Sequence, residues 1–233
     1  MMEILLKDCW YHGHCNKEPQ GCNNSCIRFL EMKYLVESSN LPPAKWHPIP
    51  LIPGIDKKEF DILKGIKDDI RNWVQQGKNL YIYSSKFGNG KTSWAIKLML
   101  AYFDSIWAGN AFRCRGIFIS VPEFLDRNRE VINNRDEEFT KMREELITCD
   151  LVIWDDISSV KLTDFQHSLL MNYIDARVLA GRSNIYTGNV SIEKLTEFVG
   201  GRLASRIWNG SEVIQFNDRD KRGLGYGRTA NIK

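Results

Sequence analysis

From residue 79 onward, short runs of apolar, β-branched and aromatic residues alternate with longer stretches in which apolar positions recur every three or four residues. The runs 80–83, 116–120, 151–154, 184–187 and 213–216 read as strands. Helical spacing fills the intervals: from Thr92 to about 107, 122–129 with Ser120 and Glu123 at capping-box spacing, 136–147, 164–179, and shorter helices after Ser191 and Gly201. Strands that alternate with helices predict a doubly wound α/β fold, with five parallel strands and helices on both faces. Upstream, Phe60, Leu63, Ile66, Ile70, Trp73 and Val74 mark one face of a helix that ends near Gly77. Residues 26–35 also show helical spacing, and the following stretch, 38–53, holds five of the seven prolines. Proline fixes φ and removes a donor, so this stretch is expected to run extended as a linker. The pattern therefore divides the chain into 1–37, a linker at 38–58, and a main domain at 59–233.

Composition adds little beyond an ordinary globular chain. An apolar fraction of 43% with 26% charged residues, 17 Gly and 7 Pro excludes collagenous and low-complexity classes. No apolar run approaches the about 20 residues of a membrane helix, and the opening MMEILLKD lacks a signal-peptide pattern, so a cytoplasmic protein that does not use a membrane is expected. A net charge of +3 permits nucleic-acid contact without arguing for it.

The cysteines change the picture at the N-terminus, where Cys9, Cys15, Cys22 and Cys26 crowd together while Cys114 and Cys149 stand apart. In a reducing compartment four thiolates at this density point to a structural Zn²⁺ that folds a segment too short for its own core. Cys22 and Cys26 have knuckle spacing, and His12 or His14 would serve as a substitute ligand.

The most informative motif follows the first strand. Ser85, Lys86, Phe87, Gly88, Asn89, Gly90, Lys91 and Thr92, then Ser93, match G-x-x-x-x-G-K-[ST] with Ser85 in place of the first Gly. Serine fits there if φ stays negative. Such a loop curls backbone N–H groups around phosphates at a helix N-terminus, with Lys91 reaching the β/γ-phosphates and the Thr92 hydroxyl holding Mg²⁺. Some sixty residues on, the run 151–154 ends in Asp155 and Asp156. A buried strand that delivers a carboxylate at its tip suits a metal-bound nucleotide, so Asp155 would orient Mg²⁺ and Asp156 would orient the attacking water. The usual residue at the second place is Glu, and the shorter Asp implies slow hydrolysis.

With these motifs, together with SNIYTGNVSIEKL, GGRLASRIW and VIQFNDRDKRG, the chain from about residue 60 resembles the AAA+ ATPases, specifically the bacterial and phage replicative helicase loaders of the DnaC/DnaI type. The resemblance implies a five-stranded P-loop NTPase core without a C-terminal lid, ATP or ADP with Mg²⁺ as ligands, and a zinc-binding N-terminal module that contacts the helicase. It places sensor 1 on Asn189, the arginine finger on Arg206 with Arg202 as the alternative, and a sensor-2-like arginine on Arg222. A finger acts on a neighbouring subunit, which implies head-to-tail rings or open helical assemblies. The partners implied are a DnaB-type replicative helicase and single-stranded DNA. The DNA face would carry Arg127, Arg129, Arg135 and Lys141 with Phe124 stacking on a base, although the acidic residues beside them fit a solvated helical face better and a phenylalanine such as Phe124 is most often core. Two other readings share the core motifs: a transposition ATPase of the IstB type, and a nucleotide-gated DNA-binding module with little or no hydrolysis. A small-molecule nucleotide kinase is more distant, for it needs a lid and substrate-binding arginines that the sequence does not place.

Overall fold

A computed structural model describes residues 9–13, 15, 22, 23, 25–47, 51–109, 112–130, 136–218 and 220. Helix α1 (Ile27–Glu37) precedes a 3₁₀ turn at Pro43–Lys45, α2 (Lys57–Asp68) and α3 (Ile70–Gln75). Then come β1 (Asn79–Tyr83), α4 (Lys91–Ile106), β2 (Gly116–Ser120), α5 (Val121–Glu130), α6 (Glu137–Thr148) and β3 (Leu151–Asp155). The chain continues through α7 (Asp164–Leu179), β4 (Ser183–Gly188), α8 (Ile192–Val199), α9 (Gly201–Trp208) and β5 (Ser211–Gln215). Among the described residues, no helix is long and apolar enough to cross a membrane.

The strands form one parallel sheet in the order β2-β3-β4-β1-β5. The pleat sends alternate side chains to opposite faces, so both faces need apolar residues. Leu80, Ile82, Leu151, Ile153 and Ile185 join the core beneath α1–α4, whereas Tyr81, Val152, Trp154 and Tyr186 join the core beneath α5–α9. The strand order reverses between β1 and β4, and in such sheets ligands bind in the crevice outside the C-terminal strand ends at that switch point.

Three local features depart from the sequence pattern. The single helix expected over 60–77 is two helices, broken at Asp69 with φ −116° and ψ 28°. Asp69 accepts from the Asn72 Nδ2 amide at 2.9 Å, the side-chain competition that lets Asp interrupt a helix. A capping box lies at Thr163 and Gln166, a site the hydrophobic pattern does not mark. Described residues of the proline-rich stretch, 39–41, 46 and 51, pack on the domain. Leu41 is buried in the α1–α4 core, the Trp46 Nε1–H donates to the Leu41 carbonyl, and the Trp10 Nε1–H donates to that of Trp46. Proline removes donors without preventing the apolar residues between prolines from finding a core.

Helix α1 shares that core through Met32, Leu35 and Val36, each fully or nearly fully buried and each contributing about 1.5–3 kcal/mol. Beyond it, the Ser39 carbonyl accepts from Phe118 N–H at 2.8 Å and Asn40 Nδ2 donates to the Phe118 carbonyl at 3.0 Å. These two bonds cover the open edge of β2.

Candidate functional site

At the C-terminal end of β1 the chain turns through Ser84–Gly90 and enters α4. Ser84 is fully buried, and its hydroxyl accepts from Lys86 N–H and Asn89 Nδ2, which braces the loop from within. Gly88 and Gly90 adopt φ of 68° and 100°, a left-handed conformation that glycine takes without strain. Ser85 is not among the residues of positive φ, the condition under which serine replaces glycine there. Gly90 caps α4, a 16-residue helix, without a side-chain hydrogen bond, and a helix N-terminus favours an anion.

Around the loop, Lys91 is buried and its Nζ donates to the Lys86 carbonyl at 3.1 Å. Lys86 itself donates to the Asn217 carbonyl at 2.7 Å, tying the loop to the segment that leaves β5. That segment is clipped in turn by Asp56, whose buried carboxylate accepts from the N–H groups of Asn217 and Asp218. Phe87 stands exposed at the loop tip and Ser93 is half-buried on the first turn of α4.

Strand β3 brings its carboxylate to the same place. The Thr92 hydroxyl donates to Asp155 Oδ1 at 2.8 Å, and the Thr187 hydroxyl donates to the same oxygen at 2.6 Å. Burial pushes the Asp155 carboxyl above its ordinary pKa, although both hydroxyls and the charge of Lys91 act in the opposite direction. Asp156 follows with φ 56°, the left-handed region that a non-glycine residue adopts only when its surroundings hold it there. Asn189 Nδ2 lies 3.5 Å from Asp156 Oδ1, and its N–H donates to Ser158 Oγ at 2.8 Å. The glycine loop, Thr92, Asp155, Asp156 and Asn189, spread over a hundred residues of sequence, thus meet at the switch point.

Other expected residues lie elsewhere. Arg206 Nε is 2.7 Å from Asp175 Oδ1 on α7, and Arg202 is exposed one turn earlier on α9. Arg222, Arg135 and His14 lie outside the described residues. Phe124 is a core residue and not a base-stacking one, for it is 4% exposed and packs against Phe139, Trp154 and Tyr173. On the same face Arg127 pairs with Asp136, Arg129 with Asp126 and Lys141 with Glu145, as a solvated helical surface does. Cys9, Cys15, Cys22 and Cys26 are half-buried, with Cys9 and Cys15 packed against the α1–α4 core. Among the described residues no group of three or more Cys, His, Asp or Glu side chains is placed to hold a metal.

Two residues of the site were missed by sequence reasoning. Thr187 and Ser158 are ordinary polar residues near strand ends, and only Thr187's place two residues before Asn189 at the tip of an apolar run offered a signal.

The parallel sheet ordered β2-β3-β4-β1-β5, with a glycine loop after β1 and paired acids ending β3, is an α/β fold that matches the AAA+ domains of solved DnaC and DnaA structures. No protein-family model matches the chain, nor does any curated protein. Solved structures do. A DnaC helicase loader superposes with TM-score 0.63 at 18% identity over 76% of this chain and 100% of its own. A DnaI structure gives TM-score 0.50 at 16% identity, over 65% of this chain and 79% of its own. A replication initiator DnaA bound to AMPPCP and single-stranded DNA gives 0.53 at 18% identity, over 78% of this chain. The chain spans about half, 49%, of that DnaA structure. At these identities the likeness is one of fold.

Proposed function

We propose that the chain is an ATP-dependent loader that places a DnaB-type replicative helicase on single-stranded DNA. The observation that carries the nucleotide part is the Thr92 hydroxyl seated 2.8 Å from the Asp155 carboxylate beside a glycine loop at a helix N-terminus. That donor set suits a hard divalent cation and a polyphosphate. The loader part is supported by the coverage of the whole DnaC chain.

In this reading residues Ser85 to Ser93 cradle the phosphates, and Lys91 exchanges the Lys86 carbonyl for phosphate oxygens. Thr92 and Asp155 would hold Mg²⁺, which when bound neutralises charge developing on the transferred phosphoryl group. Asp156 orients and accepts a proton from water, and Asn189 donates to the γ-phosphate or to that water. Arg206, released from Asp175, serves the nucleotide of a neighbouring copy, with Arg202 as the alternative, and Arg222 approaches the nucleotide from the tail. The N-terminal 37 residues are the helicase-docking part, with 38–58 joining them to the ATPase domain. Zinc on Cys9, Cys15, Cys22 and Cys26 is supported by the cysteine spacing alone, and origin in a phage by chain size and layout alone.

The test is capture of the host replicative helicase by the full chain with ATP, against Lys91→Ala. Full chain is needed because Met32, Leu35 and Val36 belong to the ATPase core. Nucleotide-dependent capture is expected. Capture of a transposase instead would favour the IstB type, and nucleotide binding without turnover or either partner would favour the nucleotide-gated DNA-binding module.

A further inference from the structure

The two adjacent acids at the tip of β3 have different duties in the nucleotide reading, yet a single side chain on β4 bonds to the carboxylate of the first and to the backbone N–H of the second. Thr187 is fully buried, and its neighbours explain why a hydroxyl is kept there. As a donor, its Oγ1–H reaches Asp155 Oδ1 at 2.6 Å. As an acceptor, the same oxygen takes the Asp156 N–H at 3.0 Å. The Thr187 carbonyl then accepts from Ile157 N–H, also at 3.0 Å. Three consecutive residues, 155 to 157, are therefore stapled to one residue of the neighbouring strand.

The staple accounts for the backbone of Asp156. A left-handed non-glycine residue costs on the order of 1 kcal/mol or more and persists only when over-determined. Here the residue's own N–H, the N–H after it and the carboxylate before it are all fixed by Thr187. Because both Thr92 and Thr187 donate to Oδ1, Asp155 Oδ2 has no hydrogen bond among the described residues. Thr187 thus selects which oxygen of Asp155 is committed to the protein. It also sets the rotation of the Asp156 backbone, from which that side chain reaches toward Asn189.

We propose that Thr187 is a positioning residue that holds the Asp155 carboxylate and the Asp156 turn as one unit on β4, so that metal-dependent nucleotide affinity depends on its hydroxyl. This rests on the nucleotide reading of the site. Valine keeps the shape of threonine and its β-branching but can neither donate nor accept, whereas serine keeps the hydroxyl.

The experiment measures affinity for a fluorescent ATP analogue, with Mg²⁺ and with EDTA, for wild type, Thr187→Val, Thr187→Ser and Lys91→Ala. Thermal midpoints are recorded for each. In Thr187→Val the increase in affinity conferred by Mg²⁺ is expected to fall about tenfold or more, as loss of a ligand's supporting partner does, with affinity in EDTA unchanged. Thr187→Ser is expected to restore the increase. Thr187→Ala is read the same way where valine does not fold. The proposal is overturned if Thr187→Val keeps the full Mg²⁺ effect, if affinity falls equally in both buffers, or if serine does not rescue. Failure of the underlying reading looks different: wild type and Lys91→Ala then bind the analogue equally weakly in either buffer.

Discussion

Replacing Asp155 by asparagine is expected to shift stability in opposite directions with and without nucleotide. The carboxylate is 8% exposed, and burial raises its pKa in spite of the hydroxyls of Thr92 and Thr187 and the nearby Lys91. The ionised form is therefore held at a cost in the unliganded protein, and each unit of such a shift corresponds to about 1.4 kcal/mol. Asparagine keeps an Oδ1 for both hydroxyls and removes the charge. The unliganded variant should melt higher, by about 2–4 °C for each kcal/mol released in a domain of this size. The pH dependence carries the sign. With a folded pKa above the unfolded 3.8, the cost is present at neutral pH and disappears as pH falls through the folded value, so the variant's advantage vanishes on acidification in the window above 3.8. Ligand reverses the order. At a hundredfold excess over Kd, MgATP stabilises the wild type by about 2.7 kcal/mol, or about 5–11 °C, and the variant by much less. Scanning fluorimetry with and without MgATP at neutral and acid pH reads all of this. A lower midpoint for the unliganded variant, or an equal rise with MgATP, would refute the reasoning.

Other perturbations test separate parts of the structure. Arg177 is fully buried and donates to Asn184 Oδ1 and to the carbonyls of Leu146, Cys149 and Ser183, so Arg177→Ala should cost about 3–5 kcal/mol in urea unfolding; a loss below about 1 kcal/mol would contradict this role. Arg206→Ala should leave nucleotide affinity intact while lowering ATP turnover by orders of magnitude at protein concentrations where copies associate, and unchanged turnover would transfer the role to Arg202. Metal analysis of the purified chain should find one equivalent of zinc that Cys22→Ser removes without loss of nucleotide binding; a zinc-free wild type ends that assignment.

What was legible in the sequence follows from how local each feature is. Strands buried on both faces tend to be continuous apolar runs, so 151–154 stood out, and 184–187 was marked by its β-branched and aromatic residues; both fall within a residue or two of β3 and β4. The glycine loop after β1 was legible because its parts are contiguous from Ser84 to Thr92. Contacts made across the sheet were not. Nothing near Thr187 says that Asp155 lies beside it; that follows from the pairing of β3 with β4, where Trp154 sits opposite Tyr186 and the next residues reach past the ladder. Arg177 shows the same gap, since an arginine late in a helix normally faces water. Here it is buried because the carbonyls of Leu146, Cys149 and Ser183 converge there from other elements. Phe124, among arginines on a charged helix, could be weighed as core or as a base-stacking residue but not assigned partners, because Phe139, Trp154 and Tyr173 come from three later elements. A motif written in consecutive residues names the ligand it suits, while the side chains that hold the motif in register are chosen by strand order. Substitutions at Thr187 and Asp155 therefore bear on different claims. Asp155 tests what the loop binds, and Thr187 tests whether the order of the sheet is part of how it binds.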